Sequence, residues 1–244
     1  MKFENISKTI VYSNGAKSKL LDDISFTVNE GEITSLLASS GSGKSTLLKI
    51  MCGLELSDSG KRIETSASLI PSEPSSFPWM NASESILFAN EKLDEAAQKR
   101  IIHQVGLEGY ESHYPNNKSL GFRFRIALAR AFASGAKIIL IDEPFTKMDQ
   151  KTKLEMLQLI VDVNNETKTT ILLATSNLSE ALLVSQSVLL MKKGISGSLP
   201  KVNCSYAESN IANRLNTAEF TENLGKIENQ VRSLTTQQSF TISL

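Results

Sequence analysis

Two cysteines and two histidines in 244 residues leave little material for a disulfide framework or for a histidine- and cysteine-built metal centre. Cys52 and Cys204 stand far apart without metal-ligand spacing, which fits a reduced, cytosolic protein. His103 and His113 fall in a helical stretch and its exit loop, where ordinary surface roles are expected. An excess of one charge is also missing: 26 Lys and Arg balance 26 Asp and Glu, and neither sign forms a long block. That removes a global electrostatic case for nucleic acid or an anionic membrane surface, so any partner must be recognised locally. Long hydrophobic runs are absent. The longest, such as 138–141, are strand length, and the first residues lack an apolar signal core, so the expectation is a chain that neither enters nor crosses a bilayer by itself. Proline is scarce as well, and three of the 6 prolines crowd into the stretch from Pro71 to Trp79. They forbid regular structure there and predict a loop with an exposed aromatic.

What is present is an alternation of strand and helix patterns sized for one large α/β domain with a small insert. Ile24, Phe26 and Val28 share one strand face before the turn at Glu30 and Gly31. Residues 33–37 form a buried strand, and Leu47, Leu48, Ile50 and Met51 give the next helix its apolar face, with Cys52 still in the helix. A short strand at 67–70 leads into the proline-rich loop. Helical patterns over 83–90 and 93–105 make an insert, residues 118–122 read as a second polar loop, and a helix over 123–134 carries Ile126, Leu128, Ala129 and Phe132. Apolar strands at 138–141 and 169–175 flank an amphipathic helix over 151–163, an order that argues for a parallel sheet. Residues 194–210 show no period. Phe220, Leu224, Ile227, Val231 and Leu234 mark one stripe of a C-terminal helix, expected to pack on its own domain in preference to forming a dimer seam.

Residues 36–46 run an apolar strand through a small-residue loop straight into a helix. Gly41 and Gly43 let the backbone turn tightly with its N–H groups inward, and the helix start adds unpaired N–H groups and a positive dipole end. This is a phosphate-binding loop, with Ala38 in place of the first glycine of the strict G-x-x-x-x-G-K-[ST] pattern. Its expected guest is a nucleotide polyphosphate, with Lys44 reaching the β- and γ-phosphates and the Ser45 hydroxyl on Mg²⁺. Asp142 ends an aliphatic strand at the same sheet edge, where Mg²⁺ would sit. Glu143, on the other side of that strand end, is the candidate catalytic group that aligns or deprotonates a water facing the γ-phosphate.

Over residues 3–192 the chain resembles the ATP-binding subunit of an ABC transporter, most closely the importer ATPases of the nitrate, sulfonate and taurine group. The resemblance is carried by Phe77, Pro78 and Trp79, by Tyr114 and Pro115, by Arg125 to Ala131, and by the helix led by Phe220. It implies an α/β P-loop NTPase core with a mixed, mainly parallel sheet, a small antiparallel β subdomain trimmed between Glu55 and Ala67, and a helical insert at about 80–134. Residues 1–200 would form the ATP-binding domain and 201–244 a C-terminal extension ending in an amphipathic helix. Ser39, Ser40, Gly41, Ser42, Gly43, Lys44, Ser45 and Thr46 fall on motif positions, as do Asp142, Glu143 and Thr146 to Asp149. Tyr12 or Ile10 aligns with the aromatic that stacks on adenine. In the family two subunits dock head to tail, so Ser119 and Gly121 would meet a partner's nucleotide.

The departures matter as much. Where the family has Leu-Ser-Gly-Gly-Gln, this chain has Lys118, Ser119, Leu120, Gly121 and Phe122, placing an isobutyl group where backbone should approach phosphate. The family's glutamine after the second strand aligns with Ser72 and its histidine after the last core strand with Ser176. The resulting expectation is an ATP- and Mg²⁺-binding, slowly hydrolysing importer subunit at the cytoplasmic face of the membrane. It would bind a transmembrane permease and, in preference to a homodimer, a second and more complete ATPase subunit, with a solute-binding protein reached only indirectly and no nucleic acid. The alternative is a nucleotide-dependent scaffold that never turns over.

Overall fold

The protein, seen in a computed structural model, is described over residues 1–61, 65–74, 76–116 and 119–234. Two long strands, β1 (Lys2–Val11) and β2 (Lys17–Thr27), form an antiparallel hairpin that buries Phe3, Ile6, Ile24 and Phe26 on one face. The chain then enters β3 (Ile33–Ala38), buried along its whole length, and after a loop at 39–43 the helix α1 (Lys44–Met51), which Cys52 caps where the sequence predicts one more helical residue. β4 (Ser59–Lys61) and β5 (Ala67–Ile70) follow. The insert holds α2 (Ala82–Ala89), α3 (Glu95–Gln104) and α4 (Leu120–Ala133). β6 (Ile138–Asp142), α5 (Gln150–Thr167), β7 (Thr170–Thr175), α6 (Leu178–Val184) and β8 (Ser187–Met191) resume the alternation. β9 (Ser196–Ser198), β10 (Lys201–Asn203), α7 (Ile211–Arg214) and α8 (Ala218–Leu234) close the chain.

The main sheet has six strands in the order β10-β8-β3-β7-β6-β5, parallel throughout except for β10 at its edge. Side chains alternate across it with period two. Ile33, Leu37, Ile139, Ile141, Ile171 and Leu173 face the layer formed by α2 to α6 and α8, whereas Leu36, Ala38, Ile138, Leu140, Leu172 and Ala174 face α1 and the hairpin sheet. Because β3, β6 and β7 run parallel, their carboxyl ends deliver residues 38–39, 142–143 and 175–176 to one edge. The second sheet, β4-β1-β2-β9, is smaller. Its β2–β9 pair is parallel, so the expected antiparallel subdomain is mixed at that margin.

Two segments differ from the sequence reading. Residues 194–210, which show no period, contain β9 and β10, each only three residues long, and Lys201 to Asn203 complete the main sheet before the C-terminal helices begin. The stretch read as a polar loop at 118–122 is already helix from Leu120, because the Ser119 side chain accepts the Phe122 N–H at 3.2 Å and caps α4. Lys118 itself lies outside the described residues, as do 62–64 of the trimmed stretch, Ser75 of the proline-rich loop and 235–244 of the extension. Asn81, Asp94, Asp149 and Asn177 cap α2, α3, α5 and α6 in the same way, each cap contributing about 1 kcal/mol. In α8, Phe220 and Ile227 are buried in the main core and Leu224 and Val231 pack against it, so these four residues of the stripe cover their own domain, while the Leu234 side chain lies outside what is described.

Gly121 sits where α4 presses on α5: a Cβ there would lie 2.8 Å from Thr152 Cγ2. Thr152 cannot swing aside freely, since its hydroxyl donates to Asp149 Oδ2 at 2.6 Å. Gly121→Ala is expected to cost about 1–2 kcal/mol through this overpacking, read as a lower urea midpoint at unchanged slope. An unchanged midpoint would show that the two helices separate without penalty.

Candidate functional site

The loop between β3 and α1 bends through Gly41 at φ 75° and Gly43 at φ 99°, both in the left-handed region. At Gly43 a side chain is excluded twice over, because a Cβ would meet Leu21 Cδ2 at 2.9 Å. Ser42 is buried and folds its hydroxyl back onto the Ser39 carbonyl at 2.8 Å, so the loop is braced from within. Ser40, Gly41, Gly43, Lys44, Ser45 and Thr46 line one cleft of ≈ 400 Å³ together with Asp142 and Glu143. That size suits a nucleotide-scale ligand. Ser39 and Ser42 supply the loop's framework and do not line the cleft.

Lys44 is the hub. Its Nζ donates to the carbonyls of Ala38 at 2.8 Å and Ser39 at 3.0 Å and pairs with Glu143 Oε1 at 2.7 Å, with its side chain only 5% exposed. The lysine therefore reaches back over the loop and holds Glu143, and Glu143 is not turned to the far side of the strand end as the sequence predicts. The reason is backbone geometry: Glu143 takes φ 45°, a left-handed conformation uncommon outside glycine, with its N–H bonded to the Ala174 carbonyl at 2.9 Å. Asp142 is nearly buried. Burial raises its carboxyl above the usual range, a hydrogen bond from the Ser45 hydroxyl opposes the rise, and the neighbouring Glu143 charge adds to it. Asp142 Oδ1 is buried without a hydrogen-bond partner among the described residues, an acceptor that a cation would satisfy.

Tyr12 and Ile10 both line the mouth of the cleft, with Leu20, a contact that sequence reasoning missed. Leu20 carries no motif, and its only signal is its place beside the buried Leu21 under the glycine loop. Tyr12 is half exposed at a turn where its N–H bonds the Ala16 carbonyl at 2.8 Å. Ser72 reaches the cleft edge. Ser119 and Gly121 are not with these residues: they line a second cleft between α4 and α5. There the Ser119 hydroxyl is engaged as a helix cap, while the first N–H groups of a helix have no intrahelical partner. Leu120 is half-buried and packs against the core. Among the described residues no group of three or more His, Cys, Asp or Glu could hold a metal ion, and no helix is long and apolar enough to cross a membrane. Phe77 lies 5.0 Å from Phe88 and 5.6 Å from Trp79, with the Arg130 guanidinium 5.2 Å over its ring, which fixes the proline-rich loop to the insert and leaves Trp79 exposed.

The ABC transporter family profile matches residues 21–146. An aliphatic sulfonates import ATP-binding protein of Pseudomonas syringae pv. tomato is 37% identical over 175 residues, covering 70% of this chain and 75% of that protein. A probable sulfate/thiosulfate import ATP-binding protein of Chlorella vulgaris is 32% identical over 209 residues, covering 78% and 86%. The dimeric structure of a bacterial ABC transporter cassette superposes with a TM-score of 0.69 at 25% identity, covering 83% of this chain and 98% of the cassette. With the glycine loop, Lys44, Asp142 and Glu143 at one edge of a parallel sheet, the chain belongs to the ABC transporter family as an ATP-binding cassette.

Proposed function

We propose that this chain is the ATP-hydrolysing subunit of an importer, working on a membrane permease from the cytoplasmic face. The observation that carries the reading is the convergence of Lys44, Ser45, Asp142 and Glu143 on one glycine-bent loop. Import is supported by the relatives, which are named import ATP-binding proteins, and the sulfonate group gives the first solute class to assay. The residues fit Mg²⁺, because the unpartnered Asp142 Oδ1 and the Ser45 hydroxyl provide oxygen donors beside the loop. Bound there, the ion would neutralise phosphate charge.

The chain's own part follows from the geometry. The loop N–H groups and Lys44 take the phosphates, which requires Lys44 to release Glu143. Glu143 then orients or deprotonates the attacking water. Ser176 offers no imidazole to the γ-phosphate, so turnover is lower than in a histidine-bearing cassette by on the order of 10²-fold, the scale of one transition-state electrostatic contact. In a homodimer both composite sites would lack that histidine and carry Leu120. A partner with complete motifs would restore one signature and one switch residue, so the proposed assembly is a heterodimer on the permease, with the solute-binding protein engaged only through the permease.

Single-turnover phosphate release by the permease-bound assembly tests the function. Slow but complete release is expected, and its absence would return the chain to a scaffold role, which its family does not support. Co-purification should yield a second ATPase species, whereas one species alone with full transport contradicts the heterodimer.

A further inference from the structure

We propose that Lys153 and Glu180 are positioning residues for hydrolysis, acting as a strut that fixes the backbone carrying Glu143. The inference rests on the reading of Glu143 as the group that orients water. Glu180, in the first turn of α6, has a side chain only 8% exposed, and Lys153 on α5 is 18% exposed. Glu180 Oε1 meets Lys153 Nζ at 2.9 Å, and Oε2 accepts from the Thr175 hydroxyl at 2.6 Å. The two oxygens of one buried carboxylate thus tie together two separate elements, the end of β7 and the start of α5.

The ties extend in both directions. Thr175 Oγ1 accepts the Asn177 N–H at 3.0 Å, and Asn177 Oδ1 accepts the Glu180 N–H at 3.1 Å, closing a ring around the loop that carries Ser176. The residue before Thr175 is Ala174, whose carbonyl accepts the Glu143 N–H at 2.9 Å. On the other side, the Lys153 N–H bonds the Asp149 carbonyl at 2.9 Å, at the end of the loop that leaves Glu143. Glu143 holds φ 45°, a conformation that persists only where its surroundings over-determine it. The strut thus holds the strand that accepts the Glu143 N–H and the helix that follows the loop leaving Glu143.

A buried ion pair is a poor device for stability, since the desolvation of two charges offsets much of their attraction, and apolar residues of similar volume would serve as well. Holding two loops at a fixed separation needs directional bonds, and these the pair provides. Small displacements of a reacting group cost rate and leave binding of the remote parts of the substrate intact.

The test compares steady-state kinetics of the permease-bound assembly carrying Glu180→Gln, Lys153→Met, Lys153→Arg or the Glu180→Gln/Lys153→Met pair, with Glu143→Gln as reference. The expected result is a kcat lowered about tenfold or more with KM for ATP within about twofold, recovered largely by Lys153→Arg, and no further loss in the pair. A merely structural role would lower the melting temperature and leave kcat of the folded protein unchanged, and that outcome overturns the proposal. Should Lys153→Met fail to fold, the near-isosteric Glu180→Gln carries the test alone. Full turnover in Glu143→Gln would remove the reading of the site itself, whereas full turnover in Glu180→Gln beside an inactive Glu143→Gln would remove only the strut.

Discussion

Lys44→Ala is expected to weaken ATP binding about 100-fold, or about 2.7 kcal/mol. Among the described residues this side chain is the one cation that reaches the loop carbonyls of Ala38 and Ser39 and also holds Glu143, so its loss takes away the phosphate partner and leaves the Glu143 carboxylate without that ion pair. The second effect lowers stability on its own account. The two are separated by measuring the melting temperature without nucleotide and the Kd by titration. Lys44→Arg keeps the charge but replaces a compact ammonium with a planar fork that the tight space between the two carbonyls does not match, so it should recover stability more than affinity. Unchanged affinity in Lys44→Ala would mean that phosphate is held elsewhere.

The second large effect falls on rate. Glu143→Gln should reduce turnover at the site built on this chain's phosphate loop by on the order of 10² to 10³-fold, because an amide can align a water but takes no proton from it. Binding should move the other way. The ion pair with Lys44 is lost, the lysine no longer has to be drawn from a carboxylate before it meets phosphate, and affinity is expected to be retained or to tighten by a few-fold. The pairing of falling kcat with undiminished affinity is the signature to look for in radiolabelled ATP hydrolysis beside equilibrium binding. A parallel fall in both would assign Glu143 to binding.

The phosphate loop was legible from the chain because its chemistry is local: two glycines, a lysine and a hydroxyl stand within a few residues, and a buried strand and an amphipathic helix frame them. The parallel sheet was legible for a related reason, since strands buried on both faces read as unbroken aliphatic runs such as 138–141. β9 and β10 were not, because three-residue strands with Val202 as their one apolar side chain have no periodicity and take their structure from neighbours at β2 and β8. The start of α4 was hidden by Gly121, which reads as a loop residue but is required by the approach of Thr152. The Lys44–Glu143 pair and the Lys153–Glu180–Thr175 network were out of reach for the same physical reason: each joins residues distant in sequence, and the direction of Glu143 depends on a left-handed φ that composition does not announce.

The proposed function requires that the glycine-bent loop, Lys44 and Asp142 hold a magnesium-bound triphosphate. Titration calorimetry of ATP into the permease-bound assembly, with Mg²⁺ and again with the metal chelated, tests it most directly. Saturable binding that weakens at least tenfold on chelation is the expected result, the tenfold corresponding to about 1.4 kcal/mol. No measurable heat of binding in the intact assembly, or an affinity indifferent to the metal, would contradict it.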